Sequence, residues 1–202
     1  MRKQPRQSRS TLVVDSILEA TTRLLPHSDG KRVSTNHIAQ VAGTSIGSVY
    51  QYFKNLDSIL VRLIEKDLDS NEEEFVQFLA TLKSVPLDQK IEGLVEKSFE
   101  VFMRRRTFKR ALLPHIFRLK RFRDVISART VLATHVTDLF SVHADELKLE
   151  NLERSAYVVS HAIQGLLQVV IVSHESPYSD AELKAEIVRI IRGYLGLSVW
   201  PR

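Results

Sequence analysis

Hydrophobic residues recur every three or four positions along most of the chain, which is typical of amphipathic α-helices. The first such segment covers 11–25, with Ser10 as its predicted N-cap and Pro26 at its end. Further segments follow at 59–82, 87–105, 124–143, 150–174 and 179–195, and Pro114 is expected to break or kink its helix. Only seven Gly and six Pro occur in 202 residues, which disfavours turn-rich β folds. The pattern therefore predicts an all-α protein.

Two short helical segments lie between the first helix and the long ones. The first has a cap in Ser34 or Thr35 and ends at Gly43, the residue best suited to a positive φ. The second, 46–53, follows a new cap at Thr44-Ser45. Two short helices joined by a tight glycine turn, after a longer supporting helix, predict a helix-turn-helix unit. A plain helical hairpin is the alternative that this pattern leaves open.

The charge of the chain is concentrated near this unit. Residues 1–66 hold ten Lys and Arg against five Asp and Glu, whereas 67–202 holds nineteen of each. Such asymmetry predicts a small basic module that meets a polyanion, although a chance excess on a solvated face would look the same. The outward face of the second short helix carries small or hydrogen-bonding side chains that suit the major groove of DNA, namely Ser45, Ile46, Ser48, Gln51 and Tyr52.

The same stretch matches a known signature. The run Ser34-Thr35-x-x-Ile38-Ala39-x-x-Ala42-Gly43-Thr44-Ser45-x-Gly47-Ser48-Val49-Tyr50-x-Tyr52-Phe53 resembles the N-terminal DNA-binding signature of the TetR family of bacterial transcriptional regulators. The resemblance covers about residues 9–65, and beyond them it extends only to length and helical pattern. It implies a helix-turn-helix domain with a basic arm over 1–55 and a helical effector-binding and dimerisation domain over 56–202. A ligand-responsive regulator follows, most often a repressor, whose dimer reads a palindromic operator.

The resemblance also assigns roles to individual residues. Thr35 would bond a phosphate and Asn36 a base edge, while Tyr50 and Tyr52 would give their hydroxyls to phosphates and Lys54 would add a further phosphate contact. Gln51 can pair bidentately with adenine. The predicted DNA-binding residues are Thr35, Asn36, Thr44, Ser45, Ile46, Ser48, Tyr50, Gln51, Tyr52 and Lys54.

One position departs from the family pattern. Members usually have a Lys two residues after the position of Lys54, where this chain has Leu56. One phosphate contact is therefore in doubt, unless Lys54 or the arm formed by Arg2, Lys3, Arg6 and Arg9 replaces it. The arm follows the minor groove or is disordered, and the sequence leaves both open.

The last two predicted helices are the most apolar, and their apolar residues span more than one face. A helix that buries two faces needs a second partner, which predicts a homodimer through these two helices, with a thick-cored monomer as the alternative. The stretch 155–174 has no formal charge over 20 residues, but seven polar side chains interrupt it, so a buried helix and no membrane span is expected. The basic, polar start is not an export signal, and a cytoplasmic location is expected.

A regulator also needs a site for its effector. Tyr157, His161, Gln164 and Gln168 form one polar stripe along the apolar helix, which either lines a pocket or bonds across the dimer interface. The predicted effector-pocket residues are Phe99, Phe102, His115, Phe117, His161 and Gln164. Nine bases and no acid lie in 101–123, and they either form a solvated face paired with acids such as 72–74 or bind an anionic effector, DNA or a partner.

Several chemistries are unsupported by the sequence. The chain has no Cys, no glycine-rich nucleotide loop, no Glu-x-x-His pair and no HExxH spacing, so no metal, cofactor or catalytic residue is expected. The alternative from another class is a helical small-molecule-binding protein or enzyme whose helix-turn-helix is vestigial. That alternative predicts little sequence-specific DNA binding.

Overall fold

The computed structural model describes residues 5–27, 33–147, 149–173 and 176–197, with the side chains of 5–9, 129, 131 and 132 left aside. Over these ranges the chain forms ten α-helices and no strand, which confirms the predicted all-α class. The helices are α1 Pro5–Leu24, α2 Thr35–Val41, α3 Ile46–Tyr52, α4 Leu56–Thr81, α5 Leu87–Met103, α6 Arg106–Arg118, α7 Phe122–Ser141, α8 Ala144–Leu147, α9 Leu152–Val172 and α10 Asp180–Tyr194. A 3₁₀ turn, Leu25–His27, follows α1.

Two local predictions are wrong, the cap at Ser10 and the break at Pro114, whereas the kink at Pro114 stays a prediction. Ser10 does not cap α1, because the helix begins at Pro5 and Ser10 lies inside it. Arg6 and Arg9 of the predicted arm therefore stand on a helical backbone, whereas Arg2 and Lys3 lie outside the described residues. Pro114 does not break its helix either, since α6 continues to Arg118.

The other helix ends follow from short-range chemistry. Ser34 caps α2 by accepting from the amide of His37, and Asn151 caps α9 by accepting from the amide of Arg154. At α10 the cap is reciprocal, because the Ser179 hydroxyl accepts from the Glu182 amide while the Glu182 carboxylate accepts from the Ser179 amide. These bonds satisfy amides that have no partner within the first turn of a helix.

The chain divides into two compact units, Met1–Asp67 with Thr107–Phe122, and Leu68–Arg106 with Arg123–Arg202. The predicted functional division into 1–55 and 56–202 stays a prediction. In the first unit α1, α2 and α3 pack against one another. Two ion pairs join further segments of this unit. Lys66 of α4 bonds Asp15 of α1 at 2.6 Å, and Arg121, which follows α6, bonds Glu65 of α4 at 2.8 Å. Its buried apolar residues include Ile17, Leu18, Ile38, Val49, Phe53, Ile59, Leu60, Phe108 and Leu112.

In the second unit α5 packs against both α9 and α10. Their apolar faces meet in a core that includes Phe75, Ile91, Leu94, Phe99, Phe140, Ala156, Ile163, Leu167, Ile187 and Ile191. Gly93 permits the close packing of α4 on α5, since an added Cβ would lie 3.3 Å from Cζ of Phe78. Among the described helices, α9 alone is long and apolar enough to cross a bilayer, but half of its most apolar window is buried in protein. A core helix of this kind accounts for its composition.

Candidate functional site

The turn between α2 and α3 is built around Gly43. This residue has φ of 64°, a left-handed conformation that glycine adopts without strain. The turn is closed by the amide of Thr44, which donates to the carbonyl of Ala39 at 3.0 Å. Ala39 is buried, and Val49 of α3 is fully buried in the joint between the two helices. The local sequence therefore determines the angle at which α3 leaves the turn.

The start of α3 is held by its own serines. The Ser45 hydroxyl accepts from the amide of Ser48 at 3.0 Å, and the two hydroxyls lie 2.8 Å apart. Ile46 and Gln51 are exposed on the same helix, and Asn36 is exposed on α2. Ile46 is 37% exposed and presents an apolar group outward. Gln51 presents a side-chain amide, which can pair with a base through two hydrogen bonds.

The hydroxyl of Thr35, at the start of α2, lies 3.2 Å from the hydroxyl of Tyr50 on α3. Tyr50 is 55% exposed, so its ring stands on the surface instead of packing in the joint. One of the two hydroxyls donates to the other, which leaves one hydroxyl proton for a second acceptor. Tyr52 is half-buried and Thr44 is half-buried in the turn. All ten predicted DNA-binding residues thus lie on α2, α3 or the segments that flank α3.

Lys54 and Leu56 lie where α3 gives way to α4. Lys54 is exposed, whereas Leu56 is half-buried as the first residue of α4. The adjacent Asn55 caps this helix, because its side-chain oxygen accepts from the amide of Ser58 at 3.0 Å. Arg118 then donates two hydrogen bonds to Asp57, at 2.6 and 3.0 Å. The first turn of α4 is therefore held in place, with one cation fewer than the resemblance leads one to expect.

A cavity of ≈ 40 Å³ lies within the second unit. Its wall consists of Asn71, Phe75, Leu94, Ser98, Val101, Phe102, Val136, Val159, Ser160, Ile163 and Gln164. Two of the predicted pocket residues, Phe102 and Gln164, are on this wall. Phe99 is in the core, where the Lys184 ammonium lies 5.5 Å from the centre of its ring.

Family models match most of the chain. The model for the tetracyclin repressor-like C-terminal domain matches residues 86–195, and the model for bacterial regulatory proteins of the tetR family matches residues 17–63. The chain belongs to the TetR family. This confirms the resemblance noted in the sequence, and it makes the protein a transcriptional regulator with a DNA-binding helix-turn-helix followed by a helical ligand-binding domain.

Solved structures of other TetR-family proteins share the fold. A protein from Mesorhizobium loti described as a TetR-family transcriptional regulator has a TM-score of 0.77 at 14% identity, covering 96% of this chain and 98% of that chain. The fatty acid degradation regulator FadR from Bacillus halodurans has a TM-score of 0.60 at 16% identity, covering 95% and 96%. The multidrug binding protein EbrR, complexed with imidazole, has a TM-score of 0.58 at 16% identity, covering 88% and 93%. No curated protein matches.

In this TetR-family chain four of the six predicted pocket residues do not line the cavity, namely Phe99, which is in the core, and three others. His161, one helix position after Ser160, stacks on Tyr157 with ring centres 4.0 Å apart, and its Nδ1 lies 2.9 Å from the Tyr157 carbonyl. His115 and Phe117 belong to the first unit. Burial lowers the pKa of His115, and Phe117 stacks on Phe122 with ring centres 4.9 Å apart. The structure does not bring these three to the cavity.

The wall also contains residues that sequence reasoning missed, among them Asn71, Ser98 and Ser160. Ser160 carries a recognisable signal, because it is a polar residue on the buried face of an otherwise apolar helix. Asn71 and Ser98 come from α4 and α5 and give no such signal. Only the packing of four helices places them on one wall.

Three bases of the basic stretch 104–123, namely Arg104, Arg118 and Arg121, pair with acids. Arg104 donates to both oxygens of Glu74, at 2.8 and 2.7 Å, and also to Glu100. Lys97 bonds Glu74 as well, at 2.6 Å, and these hydrogen bonds, led by that of Arg104, lower the pKa of Glu74 to about 2. Arg118 and Arg121 pair with Asp57 and Glu65. The prediction that Glu74 pairs with a base of this stretch is confirmed.

Proposed function

We propose that this regulator is a repressor whose dimer binds a palindromic operator and releases it when a small molecule occupies the second unit. The observation that carries the proposal is the outward face of α3, where Ile46 and Gln51 are exposed beside the hydroxyl pair of Thr35 and Tyr50. A recognition helix in the major groove needs base-reading side chains flanked by phosphate contacts, and this face supplies both.

Contacts divide by role on this surface. Gln51 and Ile46 read bases, the first through its amide and the second through contact with a thymine methyl group. Three groups contact the DNA phosphates and set the register of the protein on the duplex: the hydroxyls of Tyr50 and Thr35 and the ammonium of Lys54. Phosphate contacts of this kind supply affinity without selecting sequence, so specificity depends on the few base-facing residues.

Dimerisation is assigned to α9 and α10. One side of α9 presents an unbroken line of small apolar residues, Val158, Ala162, Gly165, Val169 and Val172, all exposed. A Cβ added at Gly165 would meet nothing within 4 Å, so a second helix can approach closely there. Ile190 and Tyr194 extend the exposed apolar area onto α10. Covering this area with a second copy would remove it from water and set two recognition helices on one duplex.

The cavity is assigned to the effector. A structure of the related fold, that of EbrR, holds imidazole. Nine of the eleven residues that line the cavity of this chain lie within the matched C-terminal domain, 86–195. An effector releases DNA only if it binds the free form more tightly than the DNA-bound form. Because its operator is DNA, the protein is expected to act in the cytoplasm.

Selection from random duplex DNA tests the proposal. Purified wild type and a Tyr50→Ala, Gln51→Ala variant are each used at two salt concentrations, with Gln77→Ala, an exposed glutamine of α4, as the matched control. Wild type and Gln77→Ala are expected to enrich one inverted repeat, and the double variant none. Salt-sensitive binding without any enriched sequence, from all three proteins, would contradict the proposal and favour a vestigial helix-turn-helix.

A further inference from the structure

Two buried polar atoms, which belong to residues that line the cavity, have no hydrogen-bond partner. They are Oγ of Ser160 and Oε1 of Gln164, both inaccessible to solvent and one turn apart on α9. Ser98, on the same wall, differs because its hydroxyl donates to the carbonyl of Leu94 at 2.7 Å. Buried polar atoms in proteins are nearly always bonded, and each unmade bond destabilises the empty state. A ligand that forms hydrogen bonds with these two atoms would therefore stabilise the occupied state.

The wall carries no charge among the side chains that the structure describes. Its eleven residues are apolar apart from two serines, one asparagine and one glutamine. Glu74 and Lys97, each close in sequence to a wall residue, bond each other at 2.6 Å. An ion brought into such a cavity would lose its hydration without gaining a countercharge from the described side chains of the wall, which disfavours it.

We propose that the effector is a compact, uncharged and mainly apolar molecule with a single hydroxyl or primary amide group, and that this group pairs with Ser160 and Gln164. Such a group both donates and accepts, so it can donate to the Gln164 oxygen and accept from the Ser160 hydroxyl. The apolar remainder contacts Phe75, Phe102 and Ile163. The inference rests on the proposed function, and it differs from the anionic effector that the basic stretch suggested.

Matched probes of one carbon skeleton test the inference on the full-length protein without DNA. Benzyl alcohol, benzoate, benzylammonium and toluene are compared by calorimetry, and pentan-1-ol, pentanoate, pentylammonium and pentane form a slimmer second series. In at least one series the alcohol is expected to bind about tenfold more tightly than the hydrocarbon, since about one to two hydrogen bonds separate them. The two ions are expected to bind more weakly still.

Three variants separate pairing from general packing. Gln164→Leu and Ser160→Ala are expected to lose about tenfold in affinity for the alcohol while keeping that for the hydrocarbon, so that the preference disappears or reverses. Ser98→Ala is the matched control, because its hydroxyl is already bonded within the helix, and its preference should equal that of wild type. Retained hydrocarbon binding shows that a variant is folded.

Three results would overturn the inference. One is the tightest binding by a carboxylate or an ammonium. Another is equal affinity of alcohol and hydrocarbon. The third is no binding by any uncharged probe, which would mean that water alone satisfies the two atoms. Operator binding is measured separately, so its failure would count against the proposed function and not against the chemistry of the cavity.

Discussion

The hydroxyls of Thr35 and Tyr50 lie 3.2 Å apart although 15 positions separate the two residues along the chain. They come from different helices of the helix-turn-helix, and the left-handed Gly43 and the buried Val49 determine the angle that brings them together. A phosphate oxygen placed against this pair would accept one hydrogen bond from a hydroxyl. We therefore expect the pair to link the geometry of the turn to the affinity for DNA.

Tyr50→Phe is expected to weaken DNA binding by about 1 kcal/mol, roughly fivefold in Kd, through the loss of one hydrogen bond to phosphate. The loss should be equal for operator and random duplexes, because phosphate contacts carry no sequence information. Fluorescence anisotropy at one fixed salt concentration measures both. Tyr178→Phe, at a tyrosine that is 60% exposed in the second unit, is the control. A loss confined to the operator would show that Tyr50 reads bases instead.

Leu56→Lys is expected to tighten DNA binding by about fivefold to tenfold at 0.1 M salt, because it introduces the cation that family members usually place near the DNA phosphates. The slope of log K against log salt should steepen by about 0.9, the value for one more phosphate contact, and Lys54→Gln should make it shallower by the same amount. Titrations at four salt concentrations give the slopes. Leu56→Gln isolates the effect of removing the half-buried leucine, and an unchanged slope in Leu56→Lys would place this position away from DNA.

Gly43→Ala and Gly47→Ala are expected to change stability in opposite directions. At Gly43 an alanine must adopt φ of 64°, which costs about 1–2 kcal/mol although no atom lies within 4 Å of the added Cβ. Gly47 is inside α3, where alanine stabilises a helix by about 0.5–1 kcal/mol. Thermal unfolding of the free protein compares the two. Equal effects of the two substitutions would contradict the left-handed turn.

Glu74→Gln is expected to lower the free energy of unfolding at pH 7 by about 1–2 kcal/mol, since it weakens the bonds from Lys97 and Arg104. The folded pKa of Glu74, about 2, lies below its ordinary value of 4.5, so this stabilisation is complete above pH 4.5 and is lost as the pH falls toward 2. Urea unfolding at pH 7 and at the lowest pH where the protein stays folded should show the difference shrinking. Glu73→Gln, next to it and exposed, should have little effect, and a pH-independent difference would refute the assigned cause.

Val169→Glu is expected to yield a monomer, because it places a carboxylate within the exposed apolar line of α9, where Val169 is 61% exposed. Light scattering after gel filtration gives the mass. Val142→Glu is the matched control, a valine 71% exposed between α7 and α8, and it should stay dimeric. A dimeric Val169→Glu would move the interface away from this face of α9.

Local chemistry explains why much of the DNA-binding unit was predictable. The caps at Ser34 and Ser45 and the turn at Gly43 depend on residues within four positions, so their signals survive in the linear sequence. The predicted start of α1 was wrong because Ser10 is of a residue type that often caps helices, whereas the helix begins earlier, at Pro5, and continues through Ser10. Helix periods likewise placed the long helices to within a few residues.

The residues that line the cavity could not be predicted from local sequence. Phe99 and Phe102 are three positions apart on one helix and equally apolar, yet only Phe102 lines the cavity while Phe99 is in the core. His115 and Phe117 belong to the other compact unit altogether. The sequence by itself determined the helical class, the caps of α2 and α3 and the family, since these depend on near neighbours and on a contiguous sequence signature. Only the tertiary structure decided which side chains share a wall and which polar atoms are left without partners, because each depends on helices that are distant in the chain.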